Sequence, residues 1–142
     1  AAEARGLAAA TPEQSAPVGN TPAQQVKLHG YYKRLIEVRK QCNISVIAQH
    51  PDIVVEHTND VLYYRRKMHV AGDLLCLMNL GEHSQAVTLP LGEQTWHQQI
   101  NSADSQWCNH ESIPDPLPNI LTAKTTPKVS IPALSIALYQ AQ

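Results

Sequence analysis

The residues able to do chemistry in this chain are its histidines, cysteines, carboxylates and tryptophans, and spacing decides what each could do. The seven histidines are His29, His50, His57, His69, His83, His97 and His110. They form no HxH or HxxxH pair, and none stands at ligand distance from a cysteine. A metal centre needs three or four converging ligands, so these read as scattered surface and turn residues. Cys42, Cys76 and Cys108 are odd in number, lie far apart and include no CxxC. That excludes a disulfide framework and a zinc site, and leaves Cys76, inside the strongest apolar run, as a small core residue. No metal and no cofactor are expected.

Hydrolysis by paired carboxylates would call on Asp104 with Glu111, or Asp52 with Glu56. Neither pair borders a recognisable pocket pattern, so both read as solvated loop acids. Ser102, Ser105 and Ser130 lack a nucleophile elbow, and the six glycines are too dispersed for a phosphate-cradling loop. No catalytic residue is assigned. Trp96 and Trp107 remain. With Tyr31, Tyr32, Tyr63, Tyr64 and Tyr139 they are the whole aromatic complement, since the chain has no Phe. A flat indole can cover the apolar face of a sugar ring. Trp107 ends the run Asn101-Ser102-Ala103-Asp104-Ser105-Gln106-Trp107, which is dense in hydrogen-bonding side chains. Trp107, Trp96, Asn101 and Asp104 are therefore the candidate carbohydrate contacts. The competing readings are core for Trp96 and packing of the loop for Trp107.

These residues need a scaffold, and 142 residues supply about one domain with a sizeable core. The formal net charge of −1, with one short basic cluster at Arg65-Arg66-Lys67, offers no field for nucleic acid or an anionic membrane. The N-terminal stretch shows no basic region followed by an apolar run, and with unpaired cysteines this predicts a reducing, cytoplasmic setting. Residues 1–20 are rich in Ala, Pro, Gly, Ser and Gln and read as a flexible leader, or the torn edge of something larger.

A helix follows over 21–42. Thr21 is its N-cap, Pro22 its first residue, and Gln24 completes a capping box. Leu28, Tyr31, Leu35, Val38 and Cys42 recur at spacings of 3 and 4, with Tyr32 and Ile36 widening the stripe. Arg39 and Lys40 suit the negative end of the helix dipole. Burying such a stripe is worth on the order of 10 kcal/mol gross, so the helix needs a partner surface.

After Pro51 the period changes to 2. Strands are predicted over Ile53–His57, Val61–Met68, Leu74–Leu80, Val87–Leu91, Thr95–Asn101, Ile120-Leu121, Lys128–Ile131 and Ala133–Tyr139, with turns at Thr58-Asn59-Asp60, Val70-Ala71-Gly72 and Gly81–Ser84. Pro90 marks an edge strand. Trp96 and Ile100 are expected on one face of their strand. In the last strand Leu134, Ile136 and Leu138 are expected inward, Ser135 and Ala137 outward. Residues 102–127 form a long irregular loop with four prolines. In Leu74–Leu80, Leu74, Cys76, Met78 and Leu80 point one way, Leu75 and Leu77 the other. A strand apolar on both faces must be covered on both. The expected fold is mainly β: an antiparallel β-sandwich of about seven or eight strands over 52–142, preceded by one amphipathic α-helix.

The order of these pieces resembles the C-terminal part of α-amylase superfamily glycoside hydrolases. Tyr31–Lys40 is similar to the "YRRLIALRK" helix that closes their barrel, and Leu74–Gly81 to their "LLVVLNLG" strand. Trp96–Trp107 is similar to the "W…LNSADPRWGG" segment of maltooligosyltrehalose trehalohydrolases, and Ile131–Tyr139 to a terminal "LPPHSVALY" strand. Cys108-Asn109 replaces the family's double glycine. The family's catalytic acids precede this helix, and no position here matches them. The resemblance implies a non-catalytic accessory sandwich with the last barrel helix attached. Its partner would be the catalytic barrel, with an α-glucan as a further contact. Two rival readings come from the residues themselves: an independent carbohydrate-binding module with Trp107 and Trp96 as stacking platforms, and a protein-interaction domain whose helix stripe pairs with a second copy of the chain. Leu28, Tyr31, Tyr32, Leu35 and Val38 are the expected interface.

Overall fold

The computed structural model describes residues 21–42, 53–68, 72–107 and 116–142. The predicted leader, the turn at Val70-Ala71 and the loop segment 108–115 lie outside these. The elements in chain order are helix α1 (Pro22–Gln41) and strands β1 (Ile53–Thr58), β2 (Val61–Arg66), β3 (Leu74–Asn79), β4 (Gln85–Thr88), β5 (Trp96–Asn101), β6 (Ile120–Leu121), β7 (Lys128–Ile131) and β8 (Ser135–Ala141). A six-stranded antiparallel sheet has the order β1-β2-β3-β8-β5-β6, and β4 pairs with β7 in a second, two-stranded sheet. The fold is mainly β, as the alternating pattern predicts.

The helix starts as its sequence dictates. The Thr21 hydroxyl accepts from the Gln24 amide at 3.3 Å, while Gln24 Oε1 accepts from the Thr21 amide at 3.2 Å. Tyr31, Leu35, Val38 and Cys42 then pack against Leu74, Cys76, Ile100 and Leu138 of the large sheet. The other face of that sheet carries Val61, Tyr63, Leu75, Leu77, Trp96 and Tyr139, which close on Val87, Val129 and Ile131 of the small sheet. The layers are thus helix, large sheet and small sheet. β3 is buried from both sides, Leu74 and Cys76 toward the helix, Leu75 and Leu77 toward the small sheet. Asn79 links the layers: its Nδ2 donates to the carbonyls of Ile131 and His83, each at 2.9 Å, and its Oδ1 accepts from the Gly81 amide at 2.9 Å. Both hydrogens of its amide and its carbonyl oxygen are thereby engaged.

Two facing expectations are corrected. In β8, Leu138 is buried as expected, against the helix, but Ser135, Ala137, Tyr139 and Ala141 are buried too, whereas Ile136 is exposed and so is Leu134 just before the strand. β8 is a central strand with two covered faces, and its smaller residues meet the tightly packed small sheet. In β5, Trp96 enters the inter-sheet core while Ile100 turns to the helix. A β-bulge between Gln98 and Ile100 adds one residue against β8 and flips the alternation. β4 stops at Thr88, but Leu89 and Leu91 stay buried beyond it. Its pairing with β7 alone accommodates Pro90.

Candidate functional site

The bulge in β5 pushes the Gln99 carbonyl out of the ladder, and Arg34 receives it. Nε and Nη2 of Arg34 donate to Gln99 O at 3.2 and 3.0 Å. The remaining nitrogen, Nη1, donates to Gln41 Oε1 at 3.4 Å and stands 3.6 Å from Glu37 Oε2. The guanidinium is therefore spent inside the chain.

Beyond the bulge, Asn101–Trp107 folds into consecutive turns. Asn101 Oδ1 accepts from the Ala103 amide at 3.0 Å, and Asp104 Oδ1 from the Gln106 amide at 3.1 Å. The Asp104 and Trp107 amides donate to the carbonyls of Asn101 and Asp104 at 3.1 and 2.9 Å. Side-chain acceptors two residues ahead of the amide they hold are the usual role of Asn and Asp in turns. Ser102 fastens the turns to β8, donating its amide to Ile136 O at 2.9 Å and accepting the Ile136 amide on its hydroxyl at 2.8 Å. Lys27 Nζ reaches Ser105 O at 3.3 Å.

Trp107 closes the structure onto α1. Its ring meets Tyr31 edge-on, centroids 5.8 Å apart at 69°. A Cβ at position 30 would stand 3.1 Å from Trp107 Cζ3, so Gly30 is what lets the indole approach the helix. Burial pushes the Tyr31 phenol above its ordinary pKa, with smaller contributions from Cys76 and Tyr32.

The bulge, the turns and the helix together border a cavity of about 250 Å³ whose lining includes Arg34, Gln98, Asn101, Asp104, Gln106, Trp107 and Asn119. Three of the four candidate carbohydrate residues, Trp107, Asn101 and Asp104, thus meet at one place. Trp96 does not belong with them, and its assignment as a sugar platform is corrected. Its ring is 0% exposed, its Nε1 donates to Leu91 O at 3.0 Å, and the Arg65 guanidinium lies 5.4 Å from its centroid. No face of it is left for a ligand.

Of the candidate interface residues, Val38 is buried in this chain's own core, and Tyr31 and Leu35 pack against that core. Leu28 and Tyr32 remain exposed, and Ile36 with them. Among the described residues no three His, Cys, Asp or Glu side chains converge as metal ligands, and no helix is long and apolar enough to cross a membrane. Gly30 and Asn119 lie outside every family-like segment the sequence singled out, and Arg34, Gln98 and Gln106 lie inside such segments, which gave them no role. The one available signal was Gln98-Gln99, two adjacent polar residues in a strand whose neighbours Trp96 and Ile100 are apolar.

Comparison with known proteins agrees with this architecture. The family model described as domain of unknown function DUF3459 matches residues 52–118, which is the strand-rich part of the chain up to Pro118. The family so described is the C-terminal domain of α-amylase-family enzymes. A comparison with curated proteins finds no match. Among solved structures, the trehalulose synthase MutB from Pseudomonas mesoacidophila MX-45 superposes with a TM-score of 0.53 at 17% identity, covering 78% of this chain and 17% of that one. A MutB mutant in complex with the substrate sucrose gives the same values, as does an inactive double mutant bound to isomaltulose. At that identity the likeness is one of fold. The chain spans about a sixth of the length of these structures, 17%.

Proposed function

We propose that this chain is a non-catalytic C-terminal accessory domain of a glycoside hydrolase of the α-amylase superfamily acting on α-glucan or trehalose-type sugars. Its role is to hold and cover the last helix of the catalytic barrel. The observation that carries the reading is that α1 has a second apolar row. Leu28, Tyr32 and Ile36 recur every four residues, and Tyr32 and Ile36 are 58% and 55% exposed while Tyr31, Leu35 and Val38 already serve the sheet. An aromatic and aliphatic row held outward on a rigid helix fits a docking face. The family match over 52–118 and the superposition on 17% of a much larger enzyme support the same reading. The likeness of Trp96–Trp107 to the trehalohydrolase segment favours a maltooligosyltrehalose trehalohydrolase as the parent.

The purified 142-residue chain is expected to release no sugar from maltooligosyltrehalose or starch, and turnover would overturn the reading. A reading frame continuous with Ala1 that extends far upstream without encoding a barrel would overturn it equally. The exposed row also suits a second copy of the chain. Light scattering separates the two, because a concentration-dependent dimer abolished by Ile36→Glu would assign the row to self-association.

A further inference from the structure

Among the described strands β1 alone has every residue exposed, and it lies at an edge. The large sheet ends at β6 on one side and at β1 on the other. The β6 edge is two residues long and offers little backbone to pair with. β1 runs for six residues in unbroken register with β2, from Ile53 against Arg66 to Thr58 against Val61, and no described strand lies on its far side. Sheet edges are normally blunted by lysine, proline, a bulge or shortness. Ile53–Thr58 has none of these. Instead Ile53, Val54 and Val55 are 44%, 55% and 58% exposed, so apolar surface is offered on both faces. A regular apolar edge of this kind is a template for another strand.

A (β/α)8 barrel closes its strands on themselves and turns helices outward, so a catalytic barrel has no strand to offer this edge. A second copy of the chain has one. Two copies of β1 can pair antiparallel about a two-fold axis normal to the sheet, which keeps each face continuous and sets residues of the same alternation opposite each other. Charge and length then select the register. Centring the pair on Glu56 puts two carboxylates directly opposite, which is destabilising. Centring it on Val54 or on His57 engages only half of the strand. Centring it on Val55 sets Val55 against itself, Val54 against Glu56 and Ile53 against His57, with Glu56 held on its own chain by the Tyr63 hydroxyl at 2.5 Å. Arg65 and Arg66 sit one strand in, on β2. The two copies of that basic pair therefore stand three strand spacings apart, about 14 Å, beyond the ~8 Å screening length at physiological salt. We propose that β1 is a self-association edge, through which two copies join their six-stranded sheets into one continuous sheet with Val55 on the two-fold axis.

The test is sedimentation of the full chain over a range of about 1 µM to 1 mM. One strand from each copy makes an interface of the small class, below ~1,200 Å², so a reversible dimer with a dissociation constant of about 10–100 µM is expected. Val55→Lys installs the usual edge guard and should weaken association by about ten-fold or more. Val55 is 58% exposed, so the unfolding midpoint of that variant at low concentration should match the parent chain. Val55→Cys in a Cys108→Ser background should oxidise to a covalent dimer faster than Val54→Cys or Glu56→Cys, because only position 55 faces its own copy. Four results would overturn the proposal: a monomer over the whole range, a dimer indifferent to Val55→Lys, equal cross-linking at positions 54, 55 and 56, or a dimer lost in Ile36→Glu and kept in Val55→Lys. None of these decides the accessory role, which is tested by turnover and by the upstream reading frame.

Discussion

Two nitrogens of Arg34 converge on one backbone carbonyl, that of Gln99, across 65 positions of sequence. This fork joins the helix to the one place where the β5–β8 ladder is broken. A bulged carbonyl has lost its strand partner, and a guanidinium satisfies it with two donors at once where an ammonium could not. The latch therefore fixes both the helix on the sheet and the residue at which β5 changes face.

Replacing Arg34 should loosen that junction. A hydrogen bond to a charged group is worth about 1.5–3 kcal/mol, and the Arg34 side chain is 29% exposed, which trims the figure through screening. Arg34→Ala should cost about 1–2 kcal/mol, seen as a lower urea midpoint at unchanged slope. Arg34→Lys, which keeps the charge and loses the fork, should recover less than half.

Gly30 sets helix propensity against aromatic packing. Alanine there gains about 1 kcal/mol of helix propensity but crowds Trp107, whose edge contact with Tyr31 is worth about 0.5–1.5 kcal/mol. Gly30→Ala alone should leave stability within about 1 kcal/mol and shift Trp107 emission to the red. In a Trp107→Leu background the same change should be plainly stabilising. Additivity between the two substitutions in denaturant melts would refute the coupling.

Asn79 is a larger liability. Asn79→Leu would leave the Gly81 amide and the Ile131 and His83 carbonyls to find new partners at the junction of the two sheets. Orphaned buried groups cost about 1–3 kcal/mol each, so a loss of ~3 kcal/mol or more is expected. A calorimetric midpoint within a degree or two of the parent chain would contradict this.

Alkali should unfold the chain through groups the fold keeps protonated, three of them shifted the furthest. Burial pushes Cys76 up to about 11, and Tyr64 and Tyr139 up to about 12, from ordinary values of 9.0 and 10.0. The fold therefore retains protons that the unfolded chain releases. The stabilisation is complete below about pH 9 and falls as pH rises toward 12. Tyr139→Phe should flatten the decline above pH 10. It should also cost about 1 kcal/mol at neutral pH, because the Tyr139 hydroxyl donates to Pro118 O at 2.7 Å. Midpoints measured from pH 7 to 11 that do not fall would exclude the mechanism.

The amino-acid sequence by itself determined the elements and their layering. Thr21, Pro22 and Gln24 start the helix through contacts made within one turn. The two-faced run from Leu74 to Leu77 demands a cover on each side, because extended backbone alternates its side chains whatever surrounds it. Only the tertiary structure decided which residues face where in β5 and β8, and which of them meet to form a site. The bulge at Gln99 is stabilised by Arg34, 65 residues away, so no local pattern announces it. It carries Ile100 to the helix and leaves Trp96 to the core, which separates the two tryptophans into a packing residue and a cavity wall. Gln106 and Asn119 come together by the same folding. Contacts of that kind depend on chain topology, and a linear spacing rule does not encode them.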